Sequence, residues 1–226
     1  MSLFCVTQQS VIFLRNFLPK RPALLLETIR CENGKAFHLS YHQDRVDKSR
    51  KVLLSLHDTL RLSDIITPPP QGLYRCRILY DEHIHSIEYI PYQAKEISTL
   101  KIVSSAIDYD FKYANRDALN ALSTLHHEVD DILITQEGYI RDTSIANIAF
   151  YTGKVWHTPK IPLLYGTMRQ YYIDQGLLEE KAIHITDLAS YTQVALMNAM
   201  IGFRTINPMI IYHSKDKYES YHFPNP

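Results

Sequence analysis

The feature that most constrains this chain is a series of short motifs in fixed order, beginning with Asp110-Phe111-Lys112-Tyr113-Ala114-Asn115-Arg116. Further on come Gly138-Tyr139-Ile140-Arg141-Asp142-Thr143-Ser144-Ile145-Ala146-Asn147, then Leu163-Leu164-Tyr165-Gly166-Thr167-Met168-Arg169, and finally Asn198-Ala199-Met200. A lysine, a carboxylate and two small-residue turns follow one another, and a fold that unites them must return repeatedly to one place. The chemistry they suit is narrow. The amine can condense with a carbonyl, the carboxylate can hold a ring nitrogen protonated, and the turns can present backbone N–H groups to a phosphate.

Composition excludes several other functions. Lysine plus arginine equals aspartate plus glutamate, 24 each, so no net field favours nucleic acid or an anionic membrane. Hydrophobic content of 46% and charged content of 21% are those of a soluble globular protein. Cys5, Cys31 and Cys76 have no C-x-x-C spacing and cannot all pair, which points to reduced thiols in a cytoplasmic protein and away from zinc. The apolar Val11-Ile12-Phe13-Leu14 is interrupted by Arg15, has no cleavage site after it, and is too short to span a bilayer. His83/His85 and His126-His127 lack the helix-face spacing of a metal site, so no metal is expected.

Periodicity places these motifs. Residues 23–31 are β-prone, Glu32-Asn33-Gly34-Lys35 is a hairpin turn, and 36–40 reads as the returning strand. Val46, Val52, Leu53 and Leu56 recur at helical spacing over 42–56. After the break at Thr67-Pro68-Pro69-Pro70-Gln71-Gly72, a second hairpin pairs 73–80 with 85–92, and 97–105 is extended. A helix over 116–126 precedes strands at 131–135, 139–141, 146–151 and 154–157; a second helix opens at Gly166 and runs to 175, and a strand covers 194–198. This pattern predicts an α+β protein of two lobes, a smaller one over 1–105 and a larger one over 106–226, joined near 105–109.

Each candidate also has an ordinary reading. Most lysines are solvated, but Tyr109, Phe111 and Tyr113 could desolvate Lys112 enough for its amine to act as a neutral base. Asp142 could make an Asx-turn, or hold a pyridine nitrogen protonated so that the ring delocalises a carbanion. Gly166-Thr167-Met168 opens a helix whose N–H groups and dipole suit a phosphate, though many helices begin this way and bind nothing. Arg45 lies on the first helix, where a solvated face is the alternative. Arg75 and Arg77 alternate along a strand and share one face, turned either to an anionic substrate or to solvent.

Taken together, from about Leu24 onward the chain resembles the class IV aminotransferases, the fold-type IV pyridoxal phosphate (PLP) enzymes. These include branched-chain and D-amino acid aminotransferases and 4-amino-4-deoxychorismate lyase. The match also takes in Glu27-Thr28-Ile29-Arg30…Gly34 and His42-Gln43-Asp44-Arg45-Val46-Asp47-Lys48-Ser49. The resemblance implies the two-lobed D-amino acid aminotransferase-like architecture and PLP as cofactor. Lys112 becomes the Schiff-base lysine, Asp142 the carboxylate on the ring nitrogen (glutamate in most of the family), and Arg45 a phosphate ligand. Gly166, Thr167, Met168, Ala199 and Met200 become phosphate-turn positions, and Asn147 joins the cofactor-binding set. The Gly-Asp-Gly loop usual before the Glu-Thr block is absent.

Asn115-Arg116 after the lysine, and Asn198-Ala199-Met200 in place of a Gly-Thr-Ala turn, are similar to the lyase branch. That implies conversion of 4-amino-4-deoxychorismate to 4-aminobenzoate and pyruvate. Arg75, Arg77 and Arg30 are then the cations for its carboxylates, and Thr28 a proton donor to the leaving group. A branched-chain or D-amino acid aminotransferase, or a non-catalytic PLP-binding subunit, are the competing readings. A homodimer, with the active site near the subunit and lobe interface, is implied as well.

Overall fold

A left-handed pair, Asn33 and Gly34, with φ of 49° and 80°, turns the chain between β1 (Leu25–Glu32) and β2 (Lys35–Ala36). The computed structural model describes residues 24–213 and 220–223; Cys5 and the apolar segment near Val11 lie outside the described residues. The return strand expected over 36–40 shrinks to two residues, because His38 takes a left-handed conformation and α1 (Leu39–Leu54) starts directly after it. After the short α2 (Leu62–Ile65), β3 (Leu73–Tyr80) and β4 (Ile84–Pro91) complete an antiparallel sheet in the order β2-β1-β3-β4. Leu25, Ile29 and Cys31 of β1 meet Cys76, Ile78 and Tyr80 of β3 and Val46 of α1 in its core. Cys31 and Cys76 are free thiols there.

The chain continues through β5 (Thr99–Ser104), α3 (Asp117–Thr124), β6 (Asp131–Gln136), β7 (Tyr139–Thr143), β8 (Asn147–Tyr151) and β9 (Trp156–Pro159). Then come α4 (Thr167–Asp174), β10 (Leu178–Lys181), β11 (Gln193–Asn198), β12 (Gly202–Ile206), β13 (Met209–Tyr212) and β14 (Ser220–Phe223). They form two five-stranded sheets, β14-β13-β5-β6-β7 and β10-β9-β8-β11-β12. Side chains from both, among them Leu100, Leu133, Ile148, Phe150, Leu196 and Ile211, share one core. Alternation had not marked β10, β12, β13 and β14.

One expectation about the lobes shifts. β5 pairs in parallel with β6 and β13, and its Leu100 and Ile102 are buried in the later core. Residues 99–104 therefore belong with the second set of sheets, and the passage between lobes falls after β4 rather than near 105–109.

Lys112 lies where the two lobes touch. Leu26 N–H donates to the Lys112 carbonyl at 2.9 Å and Ala114 N–H to the Leu24 carbonyl at 2.8 Å. β2 covers only the hairpin end of β1, so the rest of that edge is open, and the Lys112 segment zips onto it.

Candidate active site

A cleft of about 440 Å³ lies between the lobes, with Lys112, Asp142 and Arg45 in its wall. Thr28, Asn147, Gly166 and Thr167 line it too, as do Arg75, Ala199 and Met200. Motifs far apart in sequence are thus gathered into one space.

Burial pushes the Lys112 amine down from 10.5 to about 7. Arg45 adds to that effect, Glu27 opposes it, and Arg116 contributes in the same direction as Arg45. A substantial share of the amine is therefore neutral near pH 7.

Asp142, on β7, is buried, and its hydrogen bonds among the described residues all come from neutral donors. Asn147 Nδ2 donates to Oδ1 at 2.7 Å, and the Leu163 and Leu164 N–H groups donate to Oδ2 at 2.8 and 2.9 Å. Burial raises its carboxyl from 3.8 to about 7, against the pull of those bonds and of the Arg169 charge. Asn147 also donates to the Leu164 carbonyl at 2.8 Å, fixing the loop that leads into α4. A Cβ at Gly166 would lie 1.9 Å from Asn147 Oδ1, so only glycine fits between that amide and α4.

Of the two turns, the late one departs from expectation. Gly166 caps α4 without a side-chain bond, and the first-turn N–H groups of a helix have no partners within it. Thr167 faces the cleft, and the Met168 side chain packs with Ala149, Leu178 and Met197, which leaves its backbone as the group the resemblance assigned to a ligand. In the late turn Asn198 Oδ1 accepts from Met200 N–H at 2.9 Å and from Ile201 N–H at 3.1 Å. The Met200 N–H, expected to face a phosphate, is occupied by this Asx turn; Ala199 has no such engagement among the described residues.

Arg45 is not on a solvated face. Its Nε donates to Glu27 Oε1 at 2.8 Å and its Nη2 to Oε2 at 2.6 Å, while His42 Nδ1 lies 2.6 Å from Oε2. Burial alone would raise the Glu27 carboxyl, but the charge of Arg45 and the bonds from His42 and Arg45 outweigh it and hold the group at about 2. Of the five guanidinium N–H donors, the fork to Glu27 uses two, leaving three.

Two of the three expected substrate cations are elsewhere. Arg30 ties Met200 carbonyl (Nη1, 2.8 Å) to Glu32 (Nη2, 2.7 Å), bracing the late turn instead of facing a substrate. Arg77 pairs with Glu88 at 3.6 Å beside a neighbouring concavity lined by Ile107 and Tyr113. Arg75 does line the cleft, and its buried Nε has no partner among the described residues.

Glu27 and His42 were quoted as motif residues but given no role; an acidic residue in the inward row Leu25, Glu27, Ile29, Cys31 was the available signal. Arg116, quoted only as a mark of the lyase branch, also lines the cleft and donates to the Ser144 carbonyl at 2.7 Å. Among the described residues no cluster of three metal-ligating side chains occurs, and no helix is long and apolar enough to cross a membrane.

These residues fit PLP on structural grounds. A buried carboxylate without a hydrogen-bonded cation suits a protonated ring nitrogen, a near-neutral amine suits an aldehyde, and Arg45 beside the α4 N-terminus suits a phosphate. The amino-transferase class IV family model matches residues 83–208. The chain belongs to this family. As a class IV member it is a PLP-dependent enzyme.

An uncharacterized protein of Haemophilus influenzae is 34% identical over 184 residues, 79% of this chain and 98% of that protein. A solved structure from Haemophilus somnus 129PT, described as a "putative 4-amino-4-deoxychorismate lyase", is 36% identical with a TM-score of 0.75, covering 81% of this chain and 99% of that one. The PLP-bound form of a hypothetical aminotransferase from Mycobacterium tuberculosis is 15% identical with a TM-score of 0.68, covering 84% and 81%. That last likeness is of fold, the two-lobed fold-type IV architecture.

Proposed function

We propose that this class IV enzyme is a 4-amino-4-deoxychorismate lyase, releasing 4-aminobenzoate and pyruvate, and that it works in the cytoplasm as a homodimer. The observation that carries the reading is the placement of Arg75 and Arg116 in the same cleft as Lys112, with the Arg75 Nε still unpartnered. The substrate bears two carboxylates, and guanidinium groups recognise carboxylates by charge-assisted bonds. The 36% identity to the Haemophilus somnus protein supports the same branch.

Arg45, Thr167 and the α4 N-terminus would hold the cofactor phosphate, Asp142 the ring nitrogen, and Lys112 the aldehyde carbon. When bound, PLP supplies an electron sink for the carbon that loses its proton. Lys112 Nζ, whose neutral form burial favours, takes the proton from the substrate carbon bearing the amine. Asp142, ionised against a cation, holds positive charge at the far end of the cleft, where electron density must be drawn. Thr28 Oγ1 lines the cleft and is the candidate proton donor to the departing enolpyruvyl group, which leaves as pyruvate. Aromatisation of the remaining ring drives the reaction forward.

The test is to incubate the holoenzyme with 4-amino-4-deoxychorismate, and separately with branched-chain or D-amino acids plus 2-oxoglutarate. Pyruvate and 4-aminobenzoate in equal amounts are expected. Glutamate formation without 4-aminobenzoate would replace this reading with a transaminase, and neither product with a non-catalytic PLP protein.

A further inference from the structure

Successive side chains of a strand point to opposite faces, and β1 uses this sharply. Leu26 and Thr28 line the cleft, while Leu25, Ile29 and Cys31 pack in the core beneath α1. Glu27 lies in that inward apolar row and is fully buried. A buried ion pair is a poor stabilising device, since well-packed hydrophobic residues commonly do as well or better. Stability therefore gives no reason for a carboxylate here.

Orientation gives one. Both Glu27 oxygens are occupied by the Arg45 fork, and Oε2 also receives His42. Burial holds His42 below its ordinary value against the opposing pull of Glu27, so the ring is neutral and its Nδ1–H donates to the carboxylate. With Nε and one Nη2 hydrogen fixed, the guanidinium plane cannot rotate. Its remaining donors belong to a group that lines the cleft alongside Lys112, Gly166 and Thr167. A long side chain held in this way spends little entropy on engaging a ligand.

We propose that Glu27 and His42 are positioning residues that lock the Arg45 guanidinium toward the phosphate end of the cofactor, and so set the preference for PLP over unphosphorylated pyridoxal. The inference rests on the reading of Arg45 as a phosphate ligand. It assigns to two residues outside the cleft wall a specific property of the cofactor site.

The discriminating readout is the ratio of dissociation constants for PLP and pyridoxal, measured on apo-protein by equilibrium dialysis beside thermal melting. Glu27→Gln keeps the shape but removes the charge that anchors the fork. We expect PLP affinity to fall about tenfold, the scale of one weakened charge-assisted bond, with pyridoxal affinity changed less than about twofold. His42→Leu should lower the ratio in the same direction. His42→Asn should restore it, because the amide N–H can take the place of Nδ1–H. Should Glu27→Gln fail to fold, Glu27→Asp keeps the charge with a shorter reach and should still reduce the ratio.

Equal losses for both ligands, or a ratio unchanged in folded variants, would overturn the positioning role. The underlying reading is tested apart, with Arg45→Ala and the parent protein. A parent that does not prefer PLP, or an Arg45→Ala variant that retains the preference, overturns the phosphate assignment itself.

Discussion

Two buried carboxylates flank this cleft, and they are in opposite states. Glu27 is matched by the full Arg45 fork and by His42, and is held at about 2. Among the described residues Asp142 receives only an amide and two backbone N–H groups, and burial carries it to about 7. Arg169, whose charge lowers it, is engaged by the Pro159 carbonyl and Glu180. The difference separates two uses of a buried acid. Glu27 already has its cation and therefore orients it; Asp142 lacks one and therefore awaits it. A ring nitrogen that is cationic only when held suits the second state, and would pull Asp142 back toward ionisation on binding.

The comparison breaks most severely if Lys112 is removed, since both carboxylates act on the chemistry of that amine. Lys112→Ala should lose about 10²–10⁴ in turnover from proton transfer alone. Borohydride treatment of the parent should fix the pyridoxyl group on Lys112 in a peptide map; its recovery on another lysine would sink the assignment. Next in size is Asp142→Asn. The amide preserves shape and some cofactor binding but cannot hold the ring nitrogen protonated, and turnover should fall by about 10²–10³, the cost of a lost electrostatic contact in the transition state. Normal turnover in that variant would refute the waiting-acid argument. Arg45→Ala then tests the other acid by leaving Glu27 without its cation. PLP retention should weaken by roughly 1.5–3 kcal/mol, read as cofactor lost on dialysis, while substrate discrimination changes little.

How far the sequence made this visible depends on what kind of signal each residue carries. The hairpin of β3 and β4, α1, α3 and α4 lie close to where the sequence placed them, yet of the apolar residues that marked α1 only Val46 is fully buried, Val52 being exposed and Leu56 lying past the helix end. β10 was hidden because Glu179, Glu180 and Lys181 show no buried face, and β13 and β14 because they are only four residues each. In the site, Lys112, Asp142, Gly166 and Arg45 were assigned to one pocket by the family resemblance that their ordered motifs carry, and all four line the cleft. Arg30 and Arg77 could not be assigned correctly, because a charged side chain on a strand reveals its face but not its partner. Their partners, the Met200 carbonyl and Glu88, come from a distant turn and a neighbouring strand. Met200 shows the same limit: nothing in Asn198-Ala199-Met200 tells whether the asparagine side chain or a ligand takes the N–H.

The smallest expected effect is also the most direct comparison of the two acids, because it needs neither substrate nor cofactor. A carboxyl whose folded value lies above its unfolded one binds more protons in the native state across that interval, so native stability falls as pH rises through it. For Asp142 the interval runs from 3.8 to about 7. Glu27 has the opposite sign: held at about 2 against 4.5, it contributes stability above 4.5 that is lost as pH falls through 2. Lys112, lowered from 10.5 to about 7, adds stability only as pH rises above 7 and contributes little slope below it. The useful quantity is the stability of apo-protein minus that of apo Asp142→Asn, in which the contributions of other groups largely cancel. That difference should decline with rising pH between about 4 and 7, by at least about 1 kcal/mol. Saturating PLP should abolish the decline, because a ring cation supplies the partner that Glu27 already has in Arg45. A difference that stays flat in the apo-protein would mean that the backbone N–H groups of Leu163 and Leu164 already keep Asp142 ionised, and the two acids would then differ in partner but not in charge.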